Sequence, residues 1–273
     1  MVNEDVRAMQ DVVGRAWSDR AFWHVGDLAW QWSQHVDAAR PWRTRVWREG
    51  GDAVAWGWLD GDELNLCADG SYVDAVLDWA VDARSCLVSD RQDELAAALG
   101  RRGFVVADSP RYSAFTVHDL RDLPTPPLPE GFRLRSVTEA DIERRVAVHR
   151  VVWEPSRVTV ESYRNVMAAW PYRPELDWVV EAPDGRFAAS CLVWLDEANR
   201  VAELEPVGTD PAFRGLGLAS AVCLAGMRAT RAAGADSAVV FPTVGDARSV
   251  GALPLYRSIG FRPYARSVRF VRG

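Results

Sequence analysis

Apolar residues recur every three to four positions at Val6, Met9, Val13 and Trp17, which predicts an amphipathic helix over Glu4–Trp17. A second helix is predicted over Asp27–Val36, carrying Trp30 and Trp32. The period then changes. Thr44–Arg48 and Ala53–Leu59 read as short strands joined by the hairpin turn Glu49-Gly50-Gly51-Asp52, and Glu63–Cys67 as a third strand. Tyr72–Ala83 reads as helix and Leu87-Val88 as strand. Asp90–Leu99 reads as helix with Ser89 or Asp90 as its cap, and strands are expected near Phe104–Ala107 and at Tyr112–His118.

The window 121–131 holds four prolines and sustains neither helix nor central strand, so it reads as an extended linker. Beyond it the order of elements returns. Phe132–Ser136 is a strand, Thr138 caps a helix to about Val152, and Val160–Trp170 is a second helix. Trp178–Glu181 and Phe187–Trp194 form a hairpin around Pro183-Asp184-Gly185, and Arg200–Val207 follows as a strand. A long helix, Gly217–Ala233, ends at Gly234. Then come strand Ser237–Phe241, helix Ser249–Ile259 closed by Gly260, and two final strands, Phe261–Ala265 and Val268–Val271.

The dipeptides Gly103-Phe104 and Gly260-Phe261 hold the same place in the two halves, 157 positions apart. Two copies of one α/β unit are therefore expected: a first domain at 1–120, a linker at 121–131 and a second domain at 132–273. A chain of 273 residues suits two such domains.

With 48% hydrophobic and 26% charged residues, the chain is an ordinary globular mixture. A net charge of −6 argues against a nucleic-acid surface and is compatible with a cationic small-molecule substrate. Cys67, Cys86, Cys191 and Cys223 are scattered, form no Cys-x-x-Cys pair and have no His at ligand spacing, so neither a metal site nor a disulfide framework is expected. The start, Met-Val-Asn-Glu-Asp, lacks the pattern of a leader, and no apolar run approaches the ~18 residues of a membrane span. A cytoplasmic protein, monomer or homodimer, with no membrane contact is the expectation.

Chemistry concentrates in Glu203–Ala219. A strand runs into a turn at Asp210-Pro211, and a glycine-rich segment then opens the long helix. The first N–H groups of a helix have no intrahelical partner and the dipole makes that end positive, so this is a place for phosphate. Gly215 and Gly217 let a ligand come close to the backbone. Glu203 and Glu205 alternate with Leu204 and share one strand face, so if Leu204 faces the core both carboxylates face a cleft.

Arg214-Gly215-Leu216-Gly217-Leu218-Ala219 resembles the pyrophosphate motif of the GNAT superfamily of CoA-dependent N-acetyltransferases, and Ala252-x-x-Leu255-Tyr256-x-x-x-Gly260-Phe261 resembles a later segment of the same family. The resemblance covers roughly Phe132 to the C-terminus. It implies an α/β fold with a mixed sheet, two tandem acyl-CoA N-acyltransferase-like units and acetyl-CoA as co-substrate. It places the pyrophosphate on Arg214, Gly215, Leu216, Gly217, Leu218, Ala219 and Ser220, and the pantetheine and thioester on Val207, Gly208 and Thr209. Ser249 stands where the family often has a cofactor-contacting Asn. Tyr256 becomes the acid that protonates the leaving thiolate, and Glu205, or Glu203 at another of the family's base positions, the base. Trp153, Glu154, Tyr163 and Trp170, with Tyr172 and Asp177, fall where the fold covers the acceptor. His149 reads as a surface or packed side chain.

The first half departs from the motif. After Cys67 it reads Ala68-Asp69-Gly70-Ser71-Tyr72, and Leu99 stands four positions before Gly103 where the tyrosine belongs. It is similar to the degenerate half of two-copy family members, structural or pocket-forming. The implied reaction is acetyl transfer to the primary amine of a small molecule, aminoglycoside-like or derived from an amino acid or cysteinyl metabolite. The alternatives are a protein or peptide N-acetyltransferase, a non-catalytic acyl-CoA-binding module, and a dinucleotide-binding domain. For the last, Asp236 has about the right spacing but stands at the start of a strand, not at its end.

Overall fold

A computed structural model of the chain describes residues 4–36, 42–246 and 251–273. The first half contains helices α1 (Glu4–Ala16) and α2 (Val25–Ser33), strands β1 (Trp42–Glu49), β2 (Asp52–Asp60) and β3 (Glu63–Cys67), helix α3 (Gly70–Trp79), strand β4 (Ser85–Ser89), helix α4 (Asp93–Arg101) and strands β5 (Val105–Val106) and β6 (Tyr112–His118). The second contains β7 (Arg133–Ser136), α5 (Ile142–Val152), α6 (Val160–Ala168), β8 (Asp177–Glu181), β9 (Phe187–Asp196), β10 (Val201–Thr209), α7 (Leu218–Ala232), β11 (Ser237–Val240), β12 (Thr243–Val244), α8 (Ala252–Ser258) and β13 (Arg262–Val271).

The strands form one mixed sheet in the order β1-β2-β3-β4-β13-β6-β11-β10-β9-β8-β7, with β5 on β13 and β12 on β6. Apart from the edge strand β7, the order is symmetric about the β13–β6 pair. Each half supplies an antiparallel run that ends in a parallel pair, β3 with β4 and β10 with β11. Each then lends its last long strand to the other half. β6 pairs with β11, β13 pairs with β4, and the two lent strands pair with each other. The 121–131 window carries no helix or strand. The strand preceding it therefore sits in the second half's portion of the sheet.

β9 explains the layering. All ten of its residues are buried, and they alternate between two cores. Cys191, Val193 and Leu195 pack with Leu204 and with Leu218, Val222 and Met227 of α7. Leu192 and Trp194 pack with Ala29 and Trp30 of α2, Ile142 and Val146 of α5, and Tyr163 and Val166 of α6. Alternation along a strand buried on both faces produces this split. Helix α2 thus belongs to the first half by sequence but packs on both, Val25 and Leu28 against α1 and β2, Ala29 and Trp30 against the second half. Gly26 makes the approach possible, since a Cβ there would lie 2.5 Å from Trp194 Cβ.

Several boundaries differ from those predicted, and three of the differences bear on the sheet and the site. The helix expected from Asp90 begins at Asp93, with Gln92 as its cap, because Asp90 is held by the last strand: its N–H donates to Arg266 O at 2.9 Å and its Oδ1 accepts from Arg266 N at 3.1 Å. The two strands expected at the C-terminus are one ten-residue strand, β13. It changes partner along its length, Arg262–Arg266 lying on β6 and Ser267–Val271 on β4, with a register shift between Pro263 and Ala265. The helix before Gly260 spans Ala252–Ser258, and Ser249 lies outside the described residues.

Candidate active site

The parallel pairing of β10 with β11 covers Val201–Glu203 and then stops. On its other side, β10 shifts register against β9 between Leu204 and Val207. A cavity of about 620 Å³ opens where the strands part. Its walls come from Glu203–Val207 of β10, Val240–Thr243 from the end of β11 to the start of β12, Phe115 of β6, Tyr256 of α8, and Asp27, Trp30, Gln31 and Gln34 of α2 and the turn after it. His149, Trp153 and Arg157 from α5 and its following loop complete it.

Leu204 packs toward α7, so Glu203 and Glu205 point to the opposite face, as their alternation predicts. Asp27 meets them there. Oxygens of Asp27, Glu203 and Glu205 lie within 4.8 Å of one another, close enough to share protons or surround one small cation. Burial raises the proton affinity of all three well above the ordinary carboxyl range, and each is pushed further by a neighbouring carboxylate of the cluster. Asp27 is placed by the start of α2, where its Oδ2 accepts from His24 N at 2.7 Å. His24 caps that helix, its Nδ1 accepting from Gly26 N at 3.1 Å and lying 3.1 Å from Glu203 Oε2.

Sequence reasoning missed Asp27 and His24 because their contact with Glu203 crosses more than 170 positions of chain. The one local signal was His-x-x-Asp at a helix start, a reciprocal cap. Of the two places expected for His149, surface or packed, it takes the packed one. It is buried, stands edge-on to Trp30 at 5.2 Å between ring centroids, and borders the cavity. Burial first, then Arg145 and His35, bring it down to about 3, so it faces the cavity as neutral imidazole.

Tyr256 is buried, and its ring meets Phe261 at 5.7 Å. Burial, then Cys223, Cys191 and Glu205, raise its hydroxyl well above the ordinary value, so it stays a proton donor through neutral pH. Val207 borders the cavity. At Gly208 a Cβ would collide with Val152, which explains glycine where β10 passes under α5. Thr209 ends the strand and Asp210 caps the next turn, accepting from Ala212 N at 2.8 Å. Arg214, Gly215, Leu216 and Gly217 are exposed, and both glycines have positive φ, 81° and 75°. Leu218, Ala219 and Ser220 form the first turn of α7, which no side chain caps. The earliest bond there runs from Ala221 N to Gly217 O, leaving the preceding N–H groups for an anion.

The predicted acceptor residues divide. Trp153 borders the cavity and is 48% exposed. Glu154 is exposed beside it. Tyr163 does not reach the cavity. It is fully buried and donates to Asp177 Oδ2 at 2.5 Å, in a cluster where Asp177 also receives Arg145 Nε at 3.0 Å. Tyr172 and Asp177, expected near the cleft, belong to that buried cluster too. Trp170 faces a second cavity of about 820 Å³ between α1 and α6, under the Arg7 guanidinium at 3.7 Å. Helical periodicity sets which face turns inward but not what the face meets.

Residues 144–261 match the model of the acetyltransferase (GNAT) family. This segment belongs to the GNAT superfamily. The GNAT segment holds Glu203, Glu205, Arg214–Ser220 and Tyr256, and Asp27 and His24 lie outside it. Relatives include a mycothiol acetyltransferase of Kineococcus radiotolerans, 34% identical over 159 residues, which are 56% of this chain and 50% of that protein. Another, of Saccharomonospora viridis, is 30% identical over 165 residues, 56% of this chain and 53% of that protein. The chain spans about half the length of these curated relatives. Among solved structures, a GCN5-related N-acetyltransferase from Sphaerobacter thermophilus has a TM-score of 0.63 at 16% identity, covering 99% of this chain and 93% of that one. A tandem GNAT protein from the clavulanic acid biosynthesis pathway has a TM-score of 0.63 at 15% identity, covering 98% and 94%. Both neighbours align over nearly the whole chain, so the GNAT fold, in the tandem layout expected from the sequence, extends through both halves.

Proposed function

We propose that the chain is an acetyl-CoA-dependent N-acetyltransferase acting on the primary amine of a small molecule, with 132–273 as the catalytic unit and 1–120 as a degenerate copy that walls the acceptor site. The observation that carries this reading is the cluster of three carboxyls, Glu203 buried and Asp27 and Glu205 half-buried, at the parting of β10 and β11, beside Tyr256.

The exposed turn Arg214–Gly217 and the first N–H groups of α7 suit a pyrophosphate. Positive φ at Gly215 and Gly217 keeps that backbone open, and Arg214 adds a cation. Val207–Thr209 suit the pantetheine arm. When bound, acetyl-CoA supplies an acetyl thioester. A substrate ammonium is attracted to the carboxyl cluster and loses a proton to Glu205, whose raised proton affinity makes it a competent base near neutral pH. The free amine forms the N–C bond as the C–S bond breaks, and Tyr256, held protonated by burial, gives the departing sulfur its proton. Trp30, Trp153 and neutral His149 supply flat faces and a hydrogen-bonding nitrogen for the rest of the acceptor. The relatives' names make a mycothiol-related amine the first acceptor to test.

A thiol-detecting assay of CoA release over an amine panel decides the matter. Release with small amines, and not with peptides, is expected. Binding of acetyl-CoA with no release from any amine would leave a non-catalytic binding module instead.

A further inference from the structure

The titratable side chains around the cavity sort into two groups. Asp27, Glu203 and Glu205 gather where β10 parts from β11, with Tyr256 beside them. His35, His149 and Arg157 come from just past α2, from α5 and from the connection between α5 and α6. His149 is a neutral imidazole. Among the described residues of the wall, Arg157 is the one permanent cation.

Helix α2 sets the spacing of the two groups. Asp27 lies in its first turn. Val158, next to Arg157, is buried in one cluster with Ala29 and Trp30, further along that helix. At 1.5 Å per residue, the stretch from Asp27 to Trp30 or to Gln34 covers roughly 5 to 10 Å. Arg157 is also unused by the fold. Neighbouring arginines are tied, Arg144 to Asp141, Arg145 to Asp177, and Arg173 to Glu175 and Glu197. Arg157 is exposed and makes no ion pair or hydrogen bond with the described residues, although Glu154 stands three positions away. A guanidinium presents a planar fork of donors that fits a carboxylate through paired N–H···O bonds. A phosphate dianion suits the cavity less, since it would meet one permanent cation and three carboxyls.

We propose that the acceptor is an amino acid in the broad sense: its ammonium binds at Asp27, Glu203 and Glu205, and a carboxylate roughly 5 to 10 Å away binds Arg157, which selects it over neutral amines and diamines. The inference rests on the acetyltransferase reading above and names the class of its acceptor. A diamine would set its second ammonium against the guanidinium. A contact so far from the thioester is the same in ground and transition states, so Arg157 acts through KM and not through kcat. The competing role for Arg157 is to offset the negative end of α2, which would not distinguish one ligand from another.

Calorimetry on the full chain at pH 7 tests this with ω-amino acids, from 4-aminobutanoate to 6-aminohexanoate, against their ω-amino amides, equal in size and uncharged at the far end. The best acid should bind about fivefold tighter than its amide. Arg157→Gln should bring that ratio to about one and Arg157→Lys, which keeps the charge without the fork, to about two. Arg157→Glu should put 1,5-diaminopentane ahead of 5-aminopentanoate. In turnover the native protein should show the same preference in KM. Equal binding of acid and amide by the native protein, or binding of neither, would overturn the proposal. So would a ratio that survives in Arg157→Gln while Tm falls, which is the mark of a helix-end role. If the ratio appears and collapses as expected but no amine releases CoA, the acetyltransferase reading fails and the amino-acid site stands. If amines release CoA with no preference for the acid, that reading stands and the proposal falls.

Discussion

The two halves contain the same opening in the sheet and fill it in opposite ways. In the first half, β3 pairs with β4 only at Glu63 and Leu64. In the second, β10 pairs with β11 only as far as Glu203. Register makes the positions comparable. Asn65 stands opposite Trp58 as Glu203 stands opposite Trp194, and Cys67 follows two places on as Glu205 does. Leu64 and Leu66 face one core while Cys67 packs with Trp23, Trp56 and Trp58 on the other side. Trp23 Nε1 donates to Leu66 O at 3.1 Å, bracing the strand where the second half has a cavity. The parting of two strands is thus a backbone property common to both halves. Whether it becomes core or reaction site is decided by two side chains on one strand face and by what is packed over them.

The largest effect expected from this contrast is at Glu205. Glu205→Gln should lower kcat by roughly 10² to 10⁴ while the far-UV circular dichroism stays native. A loss under tenfold would mean the carboxyl face is as inert as Asn65 and Cys67.

Next is the pH dependence of folding, which belongs to the second cleft alone. His24 ordinarily titrates at 6.5 and is brought down to about 4 by burial. The unfolded chain therefore binds more protons between these values. Stability from His24 is full above pH 6.5 and is lost as pH falls through 4, by about 3 kcal/mol, on the order of a hundredfold in the folding equilibrium. The buried carboxyls act with the opposite sign, since the unfolded chain releases their protons from about pH 4.5 upward. Urea denaturation of native protein and His24→Asn from pH 4 to 7 should show the acid-side loss in the native protein only. Equal slopes would remove the neutral imidazole.

Gly217→Asp should weaken acetyl-CoA binding about thirtyfold by calorimetry, through positive φ and like charge against phosphate. Asp69→Gly at the corresponding turn should create no second CoA site. A stoichiometry of two would mean that the first half kept its cradle. The smallest effect is expected at Tyr256, whose counterpart is Leu99. Tyr256→Phe should lower kcat roughly tenfold with CoA affinity within about twofold, and an unchanged kcat would assign the proton to another donor.

Much of this was legible in the sequence because it is local. The strand face of Glu203 and Glu205, the glycines before α7 and the Tyr256 segment are set by period two, by positive φ and by short motifs. What could not be read is non-local. Asp27 and His24 reach the site because α2 packs across the halves, and no pattern within α2 says so. Arg266-Ser267 makes β13 look like two strands, since the break in hydrophobic alternation there is a change of partner along one strand. Tyr163 has the periodicity of a cavity wall, but the position it covers holds the Arg145–Asp177 pair.

The exchange of β6 and β13 also orders events in time. β13 follows every other described element in the chain, yet it is the strand that pairs with β4. While the ribosome adds the second half, β4 keeps a free edge, the kind of template on which other chains pair. The first half cannot close early and wait. Its last partner arrives with the residues that finish its neighbour, so the two units mature together, and closure is delayed by the long loop it must span.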